Sequence, residues 1–437
     1  MTAHKNLKKI VRARMEKTGE RYAAARRNVL GAEAQPSPDP ATRGHFAGSN
    51  AGSTALRVLL THAGVADPKT KAPFSEAMLF GIAGGIGIGQ FSFYYEKEDV
   101  ASFFLAGRHS WYSELDYLRA ALASFAIESK LWETAGAKGA AENLKAALDG
   151  GPVVAWVDAA GLPHRGMALS AGGMMYHIIT VYDLDLEHGT ARIGDLTDEP
   201  ITIAMDDLTK ARMRIKKDKS RLLAISGPAS KVKPLTELVN DGLRRCVDGL
   251  LNPPGPMKSN CKLDTLLRWH ERMSNTGDKE SWARIFKPGP NLWRGLTWIV
   301  TSIEFYGTGG GLCRPLFAEF LQEAAKAAGR PELQEMAKVY AELGREWSDL
   351  ADAALPDSVP VMREVKQLLA LRSELTHAGV GPAEVRAVWA KLSELQKGPF
   401  PLSEDEYSGL RSDLAPRIKR LYEGERSALE RLKGMIG

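Results

Sequence analysis

The segment YHIITVYDLDLEHGTARIGDL, residues 176–196, decides the fold class that we predict for this chain. Both of its halves are rich in Val, Ile, Thr and Tyr, and they flank the turn EHG, which is typical of a β-hairpin. Runs of the same character predict further strands at 152–158, 200–205 and 221–226. Helical periodicity comes earlier in the chain, after Asn50 and around 75–80, 111–125 and 138–148. Helices followed by an antiparallel sheet predict an α+β domain.

Two changes in composition divide the chain into three parts. The proline-rich stretch AQPSPDPATRG places a first boundary near residue 40, because prolines fix an extended connection. After SGPASKVKPL, residues 226–235, the sequence turns to Leu, Ala, Glu and Arg at helical spacing. We therefore predict a basic helical arm with a linker at 1–40, an α+β domain at 41–228 and an all-helical domain at 229–437.

The composition favours an ordinary globular protein, with 44% hydrophobic residues in 437. The sequence shows no apolar run of the roughly 18 residues that cross a bilayer and no secretory signal pattern, so we expect a cytoplasmic protein without membrane contact. The three cysteines, Cys246, Cys261 and Cys313, show no CxxC spacing. This spacing predicts neither disulfides nor zinc, and we expect no metal or other cofactor.

The net charge of +5 is concentrated near the N-terminus, where residues 5–27 hold nine Lys/Arg against Glu16 and Glu20, a net of +7. We predict one basic helix over residues 3–30. Three roles are open for it: a solvated helix packed on the body, a nucleic-acid contact, or a docking element for an acidic partner. Nucleic acid is the least favoured, because the rest of the chain offers no basic stripe.

The run GIAGGIGIGQ, residues 81–90, resembles a nucleotide-binding loop only superficially. Gln90 stands where a dinucleotide fingerprint requires its third glycine, and no phosphate-loop lysine follows. We predict a close-packed turn that passes against other backbone and that walls a groove at most.

The stretch GSNAGSTALRVLL, residues 48–60, predicts a helix whose small first residues suit catalysis. Papain-type enzymes place a cysteine at such a helix start, where the helix dipole and an imidazole stabilise the thiolate. His177, at the start of a strand, is the candidate base, and Asp195, at the end of the next strand, is the candidate that orients it. Asp198 is the alternate third member.

Other residues complete the predicted site. His45 lies six residues before Ala51, at the offset where papain-like sites carry an oxyanion donor. The residues expected to line a substrate groove are Asn50, Gly52, Ser53, Trp111, Tyr112, His164 and Tyr176.

Four ordered blocks carry a family resemblance: HFAGSNAGSTALRVLLTHAG, SEAMLFGIAGGIGIG, GPVVAWVDAAGLPH and YHIITVYDLD. Over about residues 43–226 the chain resembles the N-terminal domain of the butirosin-biosynthesis acyltransferase family, which implies a papain-like fold. The stretch RPLFAEFLQEAAKAAGRPEL, residues 314–333, resembles the helical domain of unknown function that often accompanies it. The resemblance implies a cysteine nucleophile at position 51, with His177 and Asp195 as its catalytic partners.

Ala51 departs from this pattern, because a methyl group cannot attack a thioester or an amide. Two explanations remain: a cysteine-to-alanine variant of an enzyme, or a natural pseudoenzyme that binds a peptide or a carrier-bound acyl group without reacting. The retained histidine, aspartate and helix start favour the first. Expected partners are an acyl carrier protein, a peptide or a small amine, and a second copy of the chain is a further candidate.

Overall fold

The computed structural model describes residues 9–11, 13–15, 17, 25, 29, 45–169, 175–227, 232–253 and 258–436. Within these residues the chain is α+β, with two antiparallel sheets followed by a helical C-terminal region. The first sheet is a hairpin of two strands, β1 (Ile86–Tyr95) and β2 (Val100–Arg108). The second sheet has six strands: β3 (Ser129–Trp132), β4 (Val153–Asp158), β5 (Tyr176–Asp185), β6 (Thr190–Gly194), β7 (Ile201–Ala204) and β8 (Leu222–Ile225).

The six strands lie in the order β3-β8-β4-β5-β6-β7, and every pair of neighbours is antiparallel. The described residues of the α+β segment also form five α-helices: α1 (Ala51–His62), α2 (Glu76–Ile82), α3 (Glu114–Ser124), α4 (Ala137–Leu148) and α5 (Met205–Met213). The helical region continues with α6 (Leu235–Leu251), α7 (Thr265–Ser274), α8 (Trp282–Ile285), α9 (Pro290–Val300), α10 (Arg314–Ala327), α11 (Glu332–Ala354), α12 (Pro360–His377), α13 (Pro382–Lys397) and α14 (Glu404–Ile436).

Successive side chains of β5 point alternately to the two faces of the six-stranded sheet. Ile179 and Val181 pack into one buried cluster, with residues of β4, α4 and α5. Ile178 belongs to the other cluster, and Tyr182 packs against Val58 of α1. The central sheet is therefore covered on both faces, and α1 packs against β5.

One hydrophobic core joins the α+β segment to the helical region. It contains Leu56 of α1 and Phe80 of α2 together with Trp269 of α7 and Phe317 of α10. Phe103 of β2 lies in the same core, with its ring centroid 5.1 Å from that of Trp269. The predicted boundary near residue 228 falls between β8 and α6, but the two sides are packed together rather than linked loosely.

The predicted helices and strands of the α+β segment are present, and three features were missed, of which the first is helix α5 (Met205–Met213). The glycine run was predicted to be a turn only, whereas residues from Ile86 onwards form β1 and pair with β2. A Cβ on Gly87 would lie 2.6 Å from the carbonyl oxygen of Arg108, so the predicted close approach to other backbone is correct. Strand β3 was also not predicted, because its SKLW sequence is short and only partly buried.

Most of the predicted basic helix at residues 3–30 lies outside the described residues, as does the linker. The described residues of this part are helical. Val11 shares a buried cluster with Ala25 and Val29. Among the described residues, none of the helices has the length and apolar character that a bilayer crossing needs.

Candidate functional site

The start of α1 is held by its capping residue. Asn50 has extended backbone angles, and its Oδ1 accepts hydrogen bonds from the amides of Gly52 and Ser53 at 3.1 and 3.2 Å. Its Nδ2 donates to the carbonyl of Gly307 at 2.8 Å. Within the described chain the amide of Ala51 makes no hydrogen bond, although its neighbours do. Position 51 thus offers one free N–H at the positive end of the helix.

The carboxylate of Glu76 fixes the loop before α1. It accepts hydrogen bonds from the amides of Ser49 and Asn50 at 3.0 and 2.8 Å and from the hydroxyl of Ser53 at 2.9 Å. Ser53 is fully buried. Its predicted place in an open groove is therefore wrong, because its hydroxyl is bound to Glu76 inside the protein.

Gly52 does not line an open groove either. A Cβ at this position would lie 2.9 Å from Cε1 of Tyr117 and 3.1 Å from Oε2 of Glu114. The glycine is needed for close packing against these two side chains, so the space predicted for substrate at Gly52 is filled by protein. Oε2 of Glu114 lies buried without a hydrogen-bond partner in the described chain, whereas Oε1 accepts from Arg108 at 2.6 Å.

Asp195 follows β6 and is the centre of a buried cluster on the sheet, which we call the carboxylate clamp: Asp195, His177, His164 and Arg165. Oδ1 of Asp195 lies 2.5 Å from Nε2 of His177, and Oδ2 lies 2.7 Å from Nε2 of His164. Arg165 donates to both oxygens, from Nη2 at 2.6 Å and from Nε at 2.7 Å. Four donors thus saturate one carboxylate, and the predicted contact between His177 and Asp195 is present.

The electrostatics of the clamp follow from this saturation. Burial raises the pKa of Asp195, but the charge of Arg165 and the hydrogen bonds from His177 and His164 outweigh it and hold that pKa well below its usual value. Burial lowers the pKa of His177, and Arg165 lowers it further, against the opposing effects of Asp195 and Glu114. At neutral pH the clamp therefore holds an ionised Asp195 and a neutral His177.

The tautomer of His177 follows from its partner. An Nε2 at 2.5 Å from an ionised carboxylate oxygen must carry the proton and donate it. Nη2 of Arg165 lies 2.8 Å from the same Nε2 because both groups donate to Oδ1. The neutral ring then carries its lone pair on Nδ1, for which the described chain provides no hydrogen-bond partner. His177 is thereby prepared to accept a proton at Nδ1.

Glu114 connects the clamp with the start of α1. Its Oε2 lies against Gly52, next to Ala51, and its charge acts on both His177 and Tyr306. Tyr306 also lies within electrostatic reach of Asp195 and precedes Gly307, which binds the cap of α1. The helix start and the clamp therefore share the same neighbours.

The role predicted for His45 is wrong. Its ring is buried, with Nε2 at 3.1 Å from the carbonyl of Thr197 and Nδ1 at 2.8 Å from the hydroxyl of Tyr182. Nε2 must donate to the carbonyl, so Nδ1 accepts from the hydroxyl and no N–H is left for an oxyanion. Burial lowers the pKa of His45 to about 4, so the ring is neutral.

The remaining predicted groove residues have other surroundings. Trp111 packs edge-on against Phe91 of the β1–β2 hairpin, with ring centroids 5.1 Å apart, and Tyr112 packs against Trp111. Tyr176 is 46% exposed and carries the ammonium of Lys217 3.8 Å from its ring centroid. None of these contacts places the three aromatic side chains at the clamp.

His164 was predicted to line the substrate groove, but it is buried within the clamp. Asp198, the alternate third member, is not needed as a partner of His177, because Asp195 takes that place.

Sequence reasoning missed Arg165 and Glu114. Arg165 directly follows His164 in the segment LPHRG, and its place next to a predicted groove histidine is the one signal that the sequence offered. Glu114 lies in a helix start with an ordinary surface-like pattern. Within the described residues, no group of three or more His, Cys, Asp or Glu side chains could hold a metal ion.

The chain matches two known families in sequence order. Residues 50–196 match the family described as butirosin biosynthesis protein H, N-terminal, and residues 206–378 match a domain of unknown function, DUF4872. No curated protein matches the chain. Ala51, the clamp and Glu114 all lie within the first match, and β8, Tyr306 and Gly307 lie within the second. The chain thus carries a butirosin biosynthesis protein H N-terminal domain followed by a DUF4872 domain.

Proposed function

We propose that this chain is the scaffold of a papain-like, cysteine-dependent acyltransferase or amide-processing enzyme whose active form carries a cysteine at position 51. The family match supports a biosynthetic role of the acyltransferase type. The observation that carries the proposal is the His177–Asp195 contact of 2.5 Å, on a hairpin that packs against α1. With Ala51 in place, the chain as written performs no nucleophilic chemistry.

The first half-reaction uses the groups at the helix start and the clamp. The thiol of a cysteine at position 51 gives its proton to Nδ1 of His177 and attacks the carbonyl carbon of a thioester or amide. The amide N–H of position 51 stabilises the oxyanion. The carbon–sulfur or carbon–nitrogen bond of the donor breaks, and His177 returns the proton to the leaving thiolate or amine. Asp195 holds the ring and stabilises its charged form.

The second half-reaction regenerates the thiol. An acceptor amine loses a proton to Nδ1 of His177 and attacks the acyl-enzyme, and water in its place gives hydrolysis. The new carbon–nitrogen bond forms as the bond to the cysteine sulfur breaks, and that sulfur recovers the proton.

The alternative is a pseudoenzyme, in which Ala51 is the natural residue and the site binds a peptide or a carrier-bound acyl group without reacting. The observation that favours it is Ala51 itself. The two proposals predict different results when the thiol is supplied.

The deciding experiment is the Ala51→Cys variant, incubated with short acyl thioesters and followed by intact mass. We expect one acyl adduct per chain, and we expect iodoacetamide to alkylate position 51 faster than a free thiol. The three natural cysteines are buried, and burial raises the pKa of Cys246 to about 12 and of Cys261 to about 11, so they contribute little background.

Two controls make this experiment specific. The parent protein with Ala51 reports any adduct on Cys246, Cys261 or Cys313. The double variant Ala51→Cys, His177→Gln keeps the thiol and removes the base, so its alkylation should fall to the rate of an ordinary thiol. A variant with cysteine at position 51 that forms no adduct and reacts no faster than a free thiol would establish the pseudoenzyme.

An acidic acyl carrier protein is our proposed donor partner, because the basic segment at residues 5–27 can steer it by opposite charge. Lys9 and Lys17 are exposed. The double variant Lys9→Gln, Lys17→Gln should slow association with a carrier protein at low salt, and the difference should vanish at high salt. An unchanged association rate at low salt would remove the carrier proposal and leave the acyl chemistry untouched.

A further inference from the structure

The proposed site consists of two halves that come from different parts of the chain. One half is the start of α1 with position 51, and the other is the carboxylate clamp, with His177 at the start of β5 and Asp195 directly after β6. Hydrogen bonds join the helical region to both halves.

The first contact holds the cap of α1. Gly307 accepts a hydrogen bond from Nδ2 of Asn50 at 2.8 Å, across 257 positions of sequence. Gly307 has a φ of +69°, in the region that favours glycine. The hydroxyl of Thr308 donates to the carbonyl of Ile303 at 2.8 Å and fixes the turn. This turn therefore sets the position of the residue directly before Ala51.

The second contact holds the clamp. Nε1 of Trp389, on α13, donates to the carbonyl of Arg165 at 3.2 Å. Arg372, on α12, stacks on Trp389 with its guanidinium 4.3 Å from the ring centroid. Gly166 has a φ of +58°, and a Cβ there would lie 2.9 Å from the amide nitrogen of Arg386. The loop that carries Arg165 is thus pressed against α13 without spare room.

The third contact holds the loop that follows Asp195. The amide of Asp198 donates to the carbonyl of His377 at 2.8 Å. A Cβ on Gly379 would lie 3.1 Å from Cγ2 of Ile201. The end of α12 therefore fixes the chain on the far side of the clamp.

We propose that the helical region is a positioning element of the site, which sets the start of α1 through Gly307 and the orientation of His177 through Trp389, Arg165 and Asp195. The proposal gives a role to the segment that matches DUF4872 and to α13, which follows that segment. The proposal rests on the proposed function. Trp389 acts on His177 through Arg165, so it is a positioning residue rather than a catalytic one.

The test is Trp389→Phe, which removes the indole N–H and keeps an aromatic ring for Arg372. Loosening Arg165 takes positive charge away from His177 and admits water, and both changes raise the pKa of His177. We expect the midpoint of the His177 imidazole resonance, followed by NMR in the protein with Ala51, to rise by about half a pH unit or more. This readout needs no catalytic activity.

Trp293→Phe is the matched control, because Nε1 of Trp293 is buried and has no partner within the described chain. It removes the same atoms from a core position, so a loss of stability without a change in the His177 midpoint marks a merely structural effect. A second variant, Asn50→Asp, keeps the capping oxygen and loses the donor to Gly307. In the Ala51→Cys background this variant should slow acyl-adduct formation at least about tenfold. A tenfold change in rate corresponds to about 1.4 kcal/mol in activation free energy.

The outcomes separate this inference from the proposed function. An unchanged His177 midpoint in Trp389→Phe would overturn the positioning role, whatever the thiol does. A raised midpoint together with an unreactive Ala51→Cys parent would support the positioning role and overturn the catalytic proposal. Equal adduct rates for Asn50→Asp and its parent would remove the contact through Gly307.

Discussion

Asp195→Asn tests the carboxylate clamp most directly, because it replaces one oxygen by an NH2 group and leaves the side-chain volume almost unchanged. The carboxylate accepts four hydrogen bonds, two on each oxygen. An amide nitrogen cannot accept, so the two donors that face it lose their bonds and oppose its N–H groups. The guanidinium of Arg165 also loses its counter-charge, with only 15% of its side chain exposed.

The magnitude follows from these losses. Removing one partner from a buried ion pair costs about 3–5 kcal/mol, because the remaining charge stays buried. Two lost hydrogen bonds to charged groups, at about 1.5–3 kcal/mol each, give about 3–6 kcal/mol, which overlaps that range. We therefore expect Asp195→Asn to lower the free energy of unfolding by about 3–5 kcal/mol. The measurement is urea denaturation at pH 7, followed by a signal from the six-stranded sheet.

Asp185→Asn is the control, since Asp185 lies on the same hairpin and contacts His188 at 2.7 Å, but its side chain is 47% exposed. Water screens that pair, so its loss should barely move the unfolding midpoint. If Asp195→Asn cost no more than Asp185→Asn, the four-donor geometry would be refuted.

The acid side of the stability curve gives a second test of the same clamp. The pKa of Asp195 in the folded protein is held well below its value in the unfolded chain. The stabilisation is therefore complete above the unfolded pKa of about 4 and is lost only as pH falls toward the folded pKa. In Asp195→Asn the free energy of unfolding should not show this additional fall at acid pH.

Two further predictions follow from packing and burial. Gly52→Ala should destabilise by about 1–3 kcal/mol, because its Cβ would lie 2.9 Å from Cε1 of Tyr117. Gly409→Ala, on α14 with nothing within 4 Å, should instead stabilise by up to about 1 kcal/mol, as urea midpoints would show. Burial lowers the pKa values of His45 and His109 to about 4. The unfolded chain therefore binds more protons between about pH 6.5 and 4, and the free energy of unfolding should fall as pH decreases through that window. Urea midpoints that stay constant from pH 7 to pH 5 would contradict this.

The sequence predicts those parts of the fold that have a clear period. Strands β4 to β8 were recognised because β-branched residues alternate or run continuously between turn residues. The β1–β2 hairpin was not recognised, because glycine has low strand propensity. Its glycines are required by tertiary contacts instead: a Cβ on Gly89 would lie 2.7 Å from Nε1 of Trp111. Such contacts join distant segments and leave no local pattern.

The candidate site also has one part that the sequence predicts and another part that it does not. The contact between His177 and Asp195 was predictable because hairpin register brings consecutive strands together. The surroundings of Ser53, Gly52 and His45 were not, because they depend on Glu76, Glu114 and Tyr182. Sequence offset alone placed His45 in an oxyanion role, and packing gave its nitrogens other partners.

The persistence of the site around Ala51 has a physical reason that is independent of catalysis. Asp195 is buried and Arg165 nearly so, and each satisfies the other, so losing either one leaves a buried charge unpaired. Selection for stability alone would thus retain these two residues and His164 long after a nucleophile had been lost. Retention of the clamp therefore does not distinguish a substituted enzyme from an old pseudoenzyme. The informative group is Nδ1 of His177, because the described chain makes no hydrogen bond to it and stability places little demand on it. A thiol at position 51 that reacts rapidly only when this ring is present would show that the lone pair is kept for chemistry.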